Sequence, residues 1–251
     1  MLASHAAACM QLIRDDIERV ASDRDMYEEM LSLDGKLLVE LGCGAAANTR
    51  ALAGAGHGRR VLAYEVDRIQ HELNLAAAPL ANVSFRYGGA EAIDCADASV
   101  DGVMMFKSLH HVPLAVMPRA LREIHRILKP GGFLYVTEPL FAGDFNHILR
   151  LFHDEQGVRA AAFAALVAAV EDGLFELGAE AFYLAPSSFR DFADFEQRII
   201  GATHTAHRLT PEVHAAVRER FAAHCGEDGA RFRNPMRADV LVKPGAPAAG
   251  A

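Results

Sequence analysis

The chain has no run of lysines and arginines, no two cysteines at C-x-x-C spacing, and no apolar stretch long enough to cross a bilayer. Each absence removes a class of function. Phosphate backbones are bound through clustered basic side chains. Here 25 basic residues stand against 33 acidic ones, a net charge of −8, so nucleic acid is not an expected partner. Cys9, Cys43, Cys95 and Cys225 lie far apart and read as reduced thiols of a cytoplasmic protein rather than a disulfide framework. The segment from Met1 to Met10 has no basic n-region, and His5 interrupts its short apolar run, so no secretory leader is expected. The alanine-rich stretch from Ala160 to Val170 is too short for a membrane span and is flanked by Arg159 and Glu171, so it reads as a buried helix. Membrane attachment is therefore not expected.

Apolar material is plentiful, at 51% of 251 residues, enough for the core of one domain spanning 1–243. The tail 244–251 offers nothing to pack and is expected to be disordered. The informative stretch lies early. An apolar run from Lys36 to Leu41 reads as a buried strand and leads into Gly42-Cys43-Gly44, where the backbone can turn tightly towards a ligand. A helix starting near Asn48 would aim its first amides at the same place. The next apolar run, Arg60 to Glu65, ends in an acid, and a carboxylate at the tip of the second strand of an α/β sheet is suited to ribose hydroxyls. This is a nucleoside-binding half. It is not a dinucleotide fingerprint, since the third glycine is replaced by Ala47, and no Gly-Lys-Ser/Thr follows to make a phosphate loop.

The turn resembles motif I of the class I S-adenosylmethionine-dependent methyltransferases, roughly E/D-x-G-x-G-x-G. Glu40, Gly42 and Gly44 match, and Ala46 replaces the last glycine. Three further segments follow in the family's order. Gly88-Gly89-Ala90-Glu91-Ala92-Ile93 is similar to G-D-A-E-x-L, and Asp101 to Val112, ending Leu109-His110-His111-Val112, resembles the fourth strand and its exit. Leu128-Lys129-Pro130-Gly131-Gly132 matches the turn into strand five. The likeness covers 36–140 and a final strand from Ala238 to Val242. It is closest to the type 11 methyltransferases.

The resemblance implies an α/β Rossmann-like fold: a doubly wound, seven-stranded, mostly parallel sheet with an antiparallel last strand and a helical lid inserted after strand five. It implies S-adenosylmethionine as cofactor and S-adenosylhomocysteine as product. Glu65 would take the ribose, Val66 would flank the adenine, and Gly89 and Ala90 would offer backbone to the adenine edge. Many relatives carry aspartate where this chain has Gly89, and Glu91 is the candidate to replace it. Glu40, Gly42, Cys43 and Gly44 would lie along the methionine moiety with Asn48 at the head of the next helix. Lys107 would approach the amine through its backbone, and His111 would order the pocket.

Around this core, 1–35 is expected to be a helical cap, on the periodicity of Leu12, Ile13, Ile17, Val20, Met26, Met30 and Leu31 over residues 5–32. The segment 141–190 reads as a helical substrate lid, with helices over 143–155 and 157–178. The segment 191–243 would hold a strand from Phe195 to Ala202, a helix over 211–224 capped by Thr210 and Pro211, and the last strand. The alanine-rich helices could pack on the core or on a second subunit, so a homodimer is open.

Methyl transfer from a sulfonium is an in-line displacement that mainly requires positioning, desolvation and, where needed, deprotonation of the acceptor. The candidates for catalytic contact are His111, His153 and Glu138. His110, His147, Asp154, Glu155, His204 and His207 are further polar neighbours, and Arg231, Arg233 and Arg237 could meet an anionic substrate. His153-Asp154-Glu155 reads as a solvated helical face, with a substrate clamp or a metal cluster as alternatives. His204-x-x-His207 has ligand spacing, but no third ligand is identifiable, so no metal is assigned. The segment Lys107-Ser108-Leu109-His110 lacks the N/D-P-P-Y/F pattern of amine-methylating relatives, and strand five lacks a nucleophilic cysteine. The expectation is a methyltransferase of a small molecule at oxygen or nitrogen, with carbon as a third option. A carrier-bound or macromolecular acceptor, or a non-catalytic protein on the same fold, is the alternative.

Overall fold

The computed structural model describes residues 10–201, 207 and 209–245. One short helix, α1 (Asp23–Met30), precedes an alternating series: β1 (Leu37–Leu41), α2 (Ala47–Gly54), β2 (Arg60–Glu65), α3 (Arg68–Ala76), β3 (Val83–Tyr87), β4 (Val100–Phe106), α4 (Met117–Ile127) and β5 (Leu128–Pro139). Then come α5 (Asp144–Leu149), α6 (Gln156–Glu171), β6 (Glu176–Phe189), α7 (Phe192–Phe195), α8 (Pro211–Ala222), β7 (Cys225–Gly226) and β8 (Gly229–Val242). The sheet runs in the order β3-β2-β1-β4-β5-β8-β6. Its first five strands are parallel, and β8 is antiparallel to both neighbours. The path holds seven strands, the number expected, and the two-residue β7 is added on the flank of β8.

Strands β1 and β4 are buried almost throughout, as continuous apolar runs in a sheet covered on both faces should be. Helix α4 buries Met117, Ala120, Leu121, Ile124 and Ile127, one apolar stripe at helical spacing. Its Arg119 and Arg122 are exposed, as a solvated face should be. One side of the sheet packs against α4 and α6, the other against α1 and α2. A separate cluster built on Phe189, Phe195, Phe221 and Phe232 holds the region after β5 together. The sheet order reverses between β1 and β4, and that switch point opens a crevice at the carboxyl ends of the strands. No helix among the described residues is long and apolar enough to cross a membrane.

Several expectations are corrected. The N-terminal cap is not helical over 5–32: within its described part the helix occupies only Asp23–Met30, and Val20 instead bridges to Leu184 of β6. The helix starts where its cap is, since Ser22 Oγ accepts from the Asp25 amide while Asp25 accepts from the Ser22 amide. The segment 141–190 is not helical to its end. The helix expected over 143–155 stops at Leu149, and the one expected over 157–178 at Glu171. Residues 176–189 are a fourteen-residue edge strand, whose alanines and Pro186 disguise it. The strand expected from Phe195 to Ala202 is helical instead: Asp191 caps α7, and its chain continues through a π-turn over Glu196–Ile200. Aromatic packing of Phe192 and Phe195 on Phe221 decides that outcome. Thr210 does cap α8, accepting from the Val213 amide. Cys9, His204, residues 5–9 of the expected cap, Ala202 and most of the tail (246–251) lie outside the described residues.

Candidate functional site

The turn after β1 is shaped by left-handed backbone, with φ of +72° at Gly42 and +51° at Gly44. A side chain at Gly42 would put its Cβ 2.8 Å from Ser108 Cβ, so the β1 and β4 exits touch there. Ser108 Oγ donates to the Leu41 carbonyl (2.7 Å), and Asn74 Nδ2 donates to the Gly44 carbonyl (2.7 Å). Cys43 is buried beside them, and burial, reinforced by Glu40 and Glu65, pushes its thiol up to about 12. It is therefore a protonated lining residue and not a nucleophile.

Glu65 closes the turn. One of its oxygens accepts from the Gly44 amide (2.7 Å), the other from the Val66 and Asp67 amides (2.8 and 2.9 Å). A carboxylate offers about four acceptor directions, so a hydroxyl entering this crevice can still be received, or can replace the Gly44 amide. Val66 beside it is 59% exposed, an apolar surface held out over the crevice. Glu91 lies over Gly89: a Cβ built on Gly89 would fall 2.3 Å from Glu91 Oε2, so the glutamate fills the space that a side chain at 89 would need. Ala90 is buried next to it. Glu40 is fully buried and accepts from the Thr49 hydroxyl at 2.5 Å. Burial, offset by Thr49 and aided by nearby Glu65, pushes its carboxyl up to about 8. Shape, exposed apolar surface and buried acid together fit a nucleoside carrying a cationic amine.

Beyond the crevice lies a cavity of about 670 Å³. Asn48 and Lys107 line the end towards the crevice, and Asn146, His153, Glu155 and Arg159 the end under α5 and α6, the lid end. Lys107 leaves β4 with φ of +54°, donates its amide to the Thr137 carbonyl, and extends Nζ to Asp23 Oδ2 (2.6 Å) on α1. Tyr183 of β6 donates to the other Asp23 oxygen (2.7 Å), so one carboxylate pins α1 across the cavity mouth.

The lid end is a buried chain of charges. Glu138, at the end of β5, accepts from the amides of Leu109 and His110 (3.0 and 3.3 Å) and makes a close hydrogen bond to His110 Nδ1. An ionised carboxylate only accepts, so Nδ1 carries the proton. His110 Nε2 faces Glu155 Oε1 at 3.4 Å, and His153 Nε2 stands 2.8 Å from the same oxygen. Arg159 binds Glu155 Oε2 (2.5 Å), the Leu140 carbonyl (3.2 Å) and Asn146 Oδ1 (3.0 Å). Burial alone would pull His110 down, but Glu138 and Glu155 outweigh it and hold the imidazole up to about 9. Glu155 is held far below the usual carboxylate range, because His110 and Arg159 overcome its own burial.

His111 is exposed at the cavity wall with its ring 4.1 Å from that of His110, and His207 sits 4.7 Å from the His153 ring. The structure thus gathers His110, His111, Glu138, His153, Glu155 and His207, and leaves His147 exposed outside. Asp154 accepts from the Gln156 amide at the head of α6. The arginine trio is split: Arg237 turns inward onto Asp239 (2.7 Å) and the Phe163 ring, whereas exposed Arg231 pairs with Asp228. Thr49, Asn74, Asp23, Asn146 and Arg159 are site residues that sequence reasoning missed. None of them sits in a motif, and only contacts between distant segments reveal them.

Residues 39–136 match the family described as "Methyltransferase domain". An O-methyltransferase of Aspergillus nomiae is 30% identical over 152 residues, covering 56% of this chain and 65% of its own length. A dimethylglycine N-methyltransferase of Parasynechococcus marenigrum is 30% identical over 136 residues, 51% of this chain and 48% of its own length. The chain thus spans about two fifths to two thirds of the length of the curated relatives it matches. A crystal structure of an S-adenosylmethionine-dependent methyltransferase from Methanosarcina mazei superposes with a TM-score of 0.56 at 16% identity, over 90% of this chain and 100% of that one, a likeness of fold. With motif, topology and crevice in agreement, residues 39–136 are a methyltransferase domain of the class I S-adenosylmethionine-dependent fold, and S-adenosylmethionine is the cofactor that such a domain implies.

Proposed function

We propose that this chain methylates a small molecule, at an oxygen in preference to a nitrogen, inside the cavity between the crevice and the lid. The observation that carries the reading is the continuity of that cavity. It runs from Asn48 and Lys107 at the cofactor end to the imidazoles and carboxylate under the lid. At about 670 Å³ it suits a small acceptor. Glu65 would hold the ribose, Val66 and Glu91 would flank the adenine beside Gly89 and Ala90, and Glu40 would meet the amine behind Gly42, Cys43 and Gly44. Bound S-adenosylmethionine supplies an electrophilic methyl group on a positively charged sulfur.

The chain's own groups do the positioning. His111 and His153 face the acceptor, and their ring nitrogens suit a hydroxyl better than an aliphatic carbon. Glu138 acts one step back, fixing the tautomer and orientation of His110. Asp23, Lys107 and Tyr183 hold α1 over the mouth and keep water out.

Calorimetric titration with S-adenosylhomocysteine, on the native chain and on Glu65→Ala, tests the cofactor half. Micromolar binding, weakened about 100-fold in the variant by the loss of charge-assisted bonds to the ribose, is expected. A folded chain that binds neither cofactor nor product overturns the reading. Formation of S-adenosylhomocysteine during a screen of hydroxylated small molecules tests the acceptor half. Turnover on amines alone would move the acceptor atom to nitrogen.

A further inference from the structure

The lid wall carries more nitrogen and carboxylate groups than positioning an acceptor requires. His110, His111 and Glu155 each bring a ligand atom to within 4.8 Å of the other two. Metal–nitrogen and metal–oxygen bonds of about 2.0–2.2 Å place tetrahedral ligand atoms about 3.3–3.6 Å apart. His110 Nε2 and Glu155 Oε1 stand 3.4 Å apart. We propose that His110, His111 and Glu155 form a site for a first-row divalent transition ion whose remaining positions open onto the acceptor cavity.

The surroundings support the assignment independently of the distances. Imidazoles that bind metals give their other N–H to a carboxylate or carbonyl, which fixes the tautomer and raises ligand basicity. His110 does so, with Nδ1 on buried Glu138 and Nε2 directed at Glu155. Glu155 is oriented in the same way: Arg159 occupies Oε2 and leaves Oε1 turned towards His110 Nε2. His153 shares Oε1, which has a lone pair for each partner. Glu138, Glu155 and Arg159 together leave one negative charge for the ion. The ion would sit where His110 and Glu155 now share a proton.

Asn146 provides a separate pointer to a ligand. It is 6% exposed and lines the same cavity, its oxygen is engaged by Arg159, and its amide nitrogen is buried with no hydrogen-bond partner. A donor left unpaired at this depth is costly unless something supplies an oxygen. Two imidazoles and one carboxylate make an open, catalytic kind of site rather than a closed structural one. An acceptor oxygen on the ion would be polarised and held for in-line attack. That role rests on the methyl-transfer reading above; the existence of the site does not.

The test uses the full chain, stripped with a chelator and then titrated with Zn2+ by calorimetry and with Co2+ by visible absorption. One equivalent should bind with a dissociation constant in the micromolar range or below, and Mg2+ should bind far more weakly. His111→Asn and Glu155→Gln should each weaken Zn2+ at least tenfold, while His57→Ala, at a remote exposed histidine, should leave it unchanged. His111 is exposed, so its variant should keep the fold and decides the matter alone if Glu155→Gln does not. Absence of saturable Zn2+ binding, or native affinity in His111→Asn, overturns the proposal. S-adenosylhomocysteine binding is measured in parallel with chelator present. Its loss would count against the methyl-transfer reading, and its persistence without Zn2+ binding would remove the metal site alone.

Discussion

The cofactor crevice and the lid wall face one cavity but are built on opposite principles. In the crevice, contacts are made largely by backbone: left-handed Gly42 and Gly44, the amides gathered on Glu65, and the open approach at Gly89. At the lid wall most contacts are between side chains, drawn from the β4 exit, the end of β5, α5, the turn before α6, and α6 itself. A ligand common to a whole family can be held by main chain, which any sequence supplies once the turn is right. An acceptor that differs between members must be recognised by side chains. The difference assigns tolerance: the crevice should fail through geometry, and the lid through unpaired charge.

The largest effect is expected at the lid. Arg159→Met removes the cation from buried Glu155 and the donor from Asn146 and the Leu140 carbonyl, and breaking such a pair costs about 3–5 kcal/mol. The melting temperature should fall on the order of 10 °C for a domain of this size. Affinity for S-adenosylhomocysteine should stay within about twofold of native. An undiminished melting point would mean that the charge chain is solvated rather than structural.

Next is the crevice. Gly42→Ala forces a side chain into left-handed backbone, about 1–2 kcal/mol. It also drives that side chain against Ser108 at 2.8 Å, for a further 1–3 kcal/mol or so of overpacking. Gly44→Ala should incur the first cost and not the second, since a Cβ there meets nothing within 4 Å. Urea unfolding of the two variants separates the terms. Equal losses would show that the β1 and β4 exits are not in the close contact described.

The same division explains what could be read from the sequence. The strand–turn–strand core was legible because a buried parallel strand writes itself as an unbroken apolar run, and the turn as glycines at fixed offsets. Glu65, the acid ending β2, could be placed from spacing alone. Edge strand β6 was not legible: Ala179, Ala181, Ala185 and Pro186 carry no strand propensity, and pairing with β8 supplies what they lack. The turn over Phe195–Ile200 misled for the converse reason, since aromatic residues that favour strands pack here as a helical knot. Glu155 was legible only within His153-Asp154-Glu155, whose simplest reading is a solvated helical face, whereas Glu155 is buried. Its partnership with His110 joins positions 45 residues apart, and Arg159 owes its place to both the helix repeat and the cavity.

The mildest prediction concerns Glu40, a crevice contact that depends on ionisation rather than on backbone shape. Burial raises its carboxyl to about 8, so in the unliganded chain it is mostly neutral at pH 7. Its partner under the proposed function is a cationic amine, which favours the ionised form. Affinity for S-adenosylmethionine should therefore rise with pH, by about tenfold between pH 6 and pH 7, and level off above about 8 as the competent fraction saturates. Stability should move the other way. A carboxyl whose folded value lies above its unfolded one binds its proton more tightly when folded, so this contribution is lost as pH climbs from about 4.5 to 8. Glu40→Gln keeps an acceptor for the Thr49 hydroxyl and removes the titration. It should flatten both profiles, setting affinity low at every pH while making the chain more resistant to urea at pH 8. A Glu40→Gln variant that retains the native pH dependence of binding would transfer the amine contact to the backbone of the turn. The amine end of the crevice would then be a main-chain device, and the contrast with the lid would sharpen.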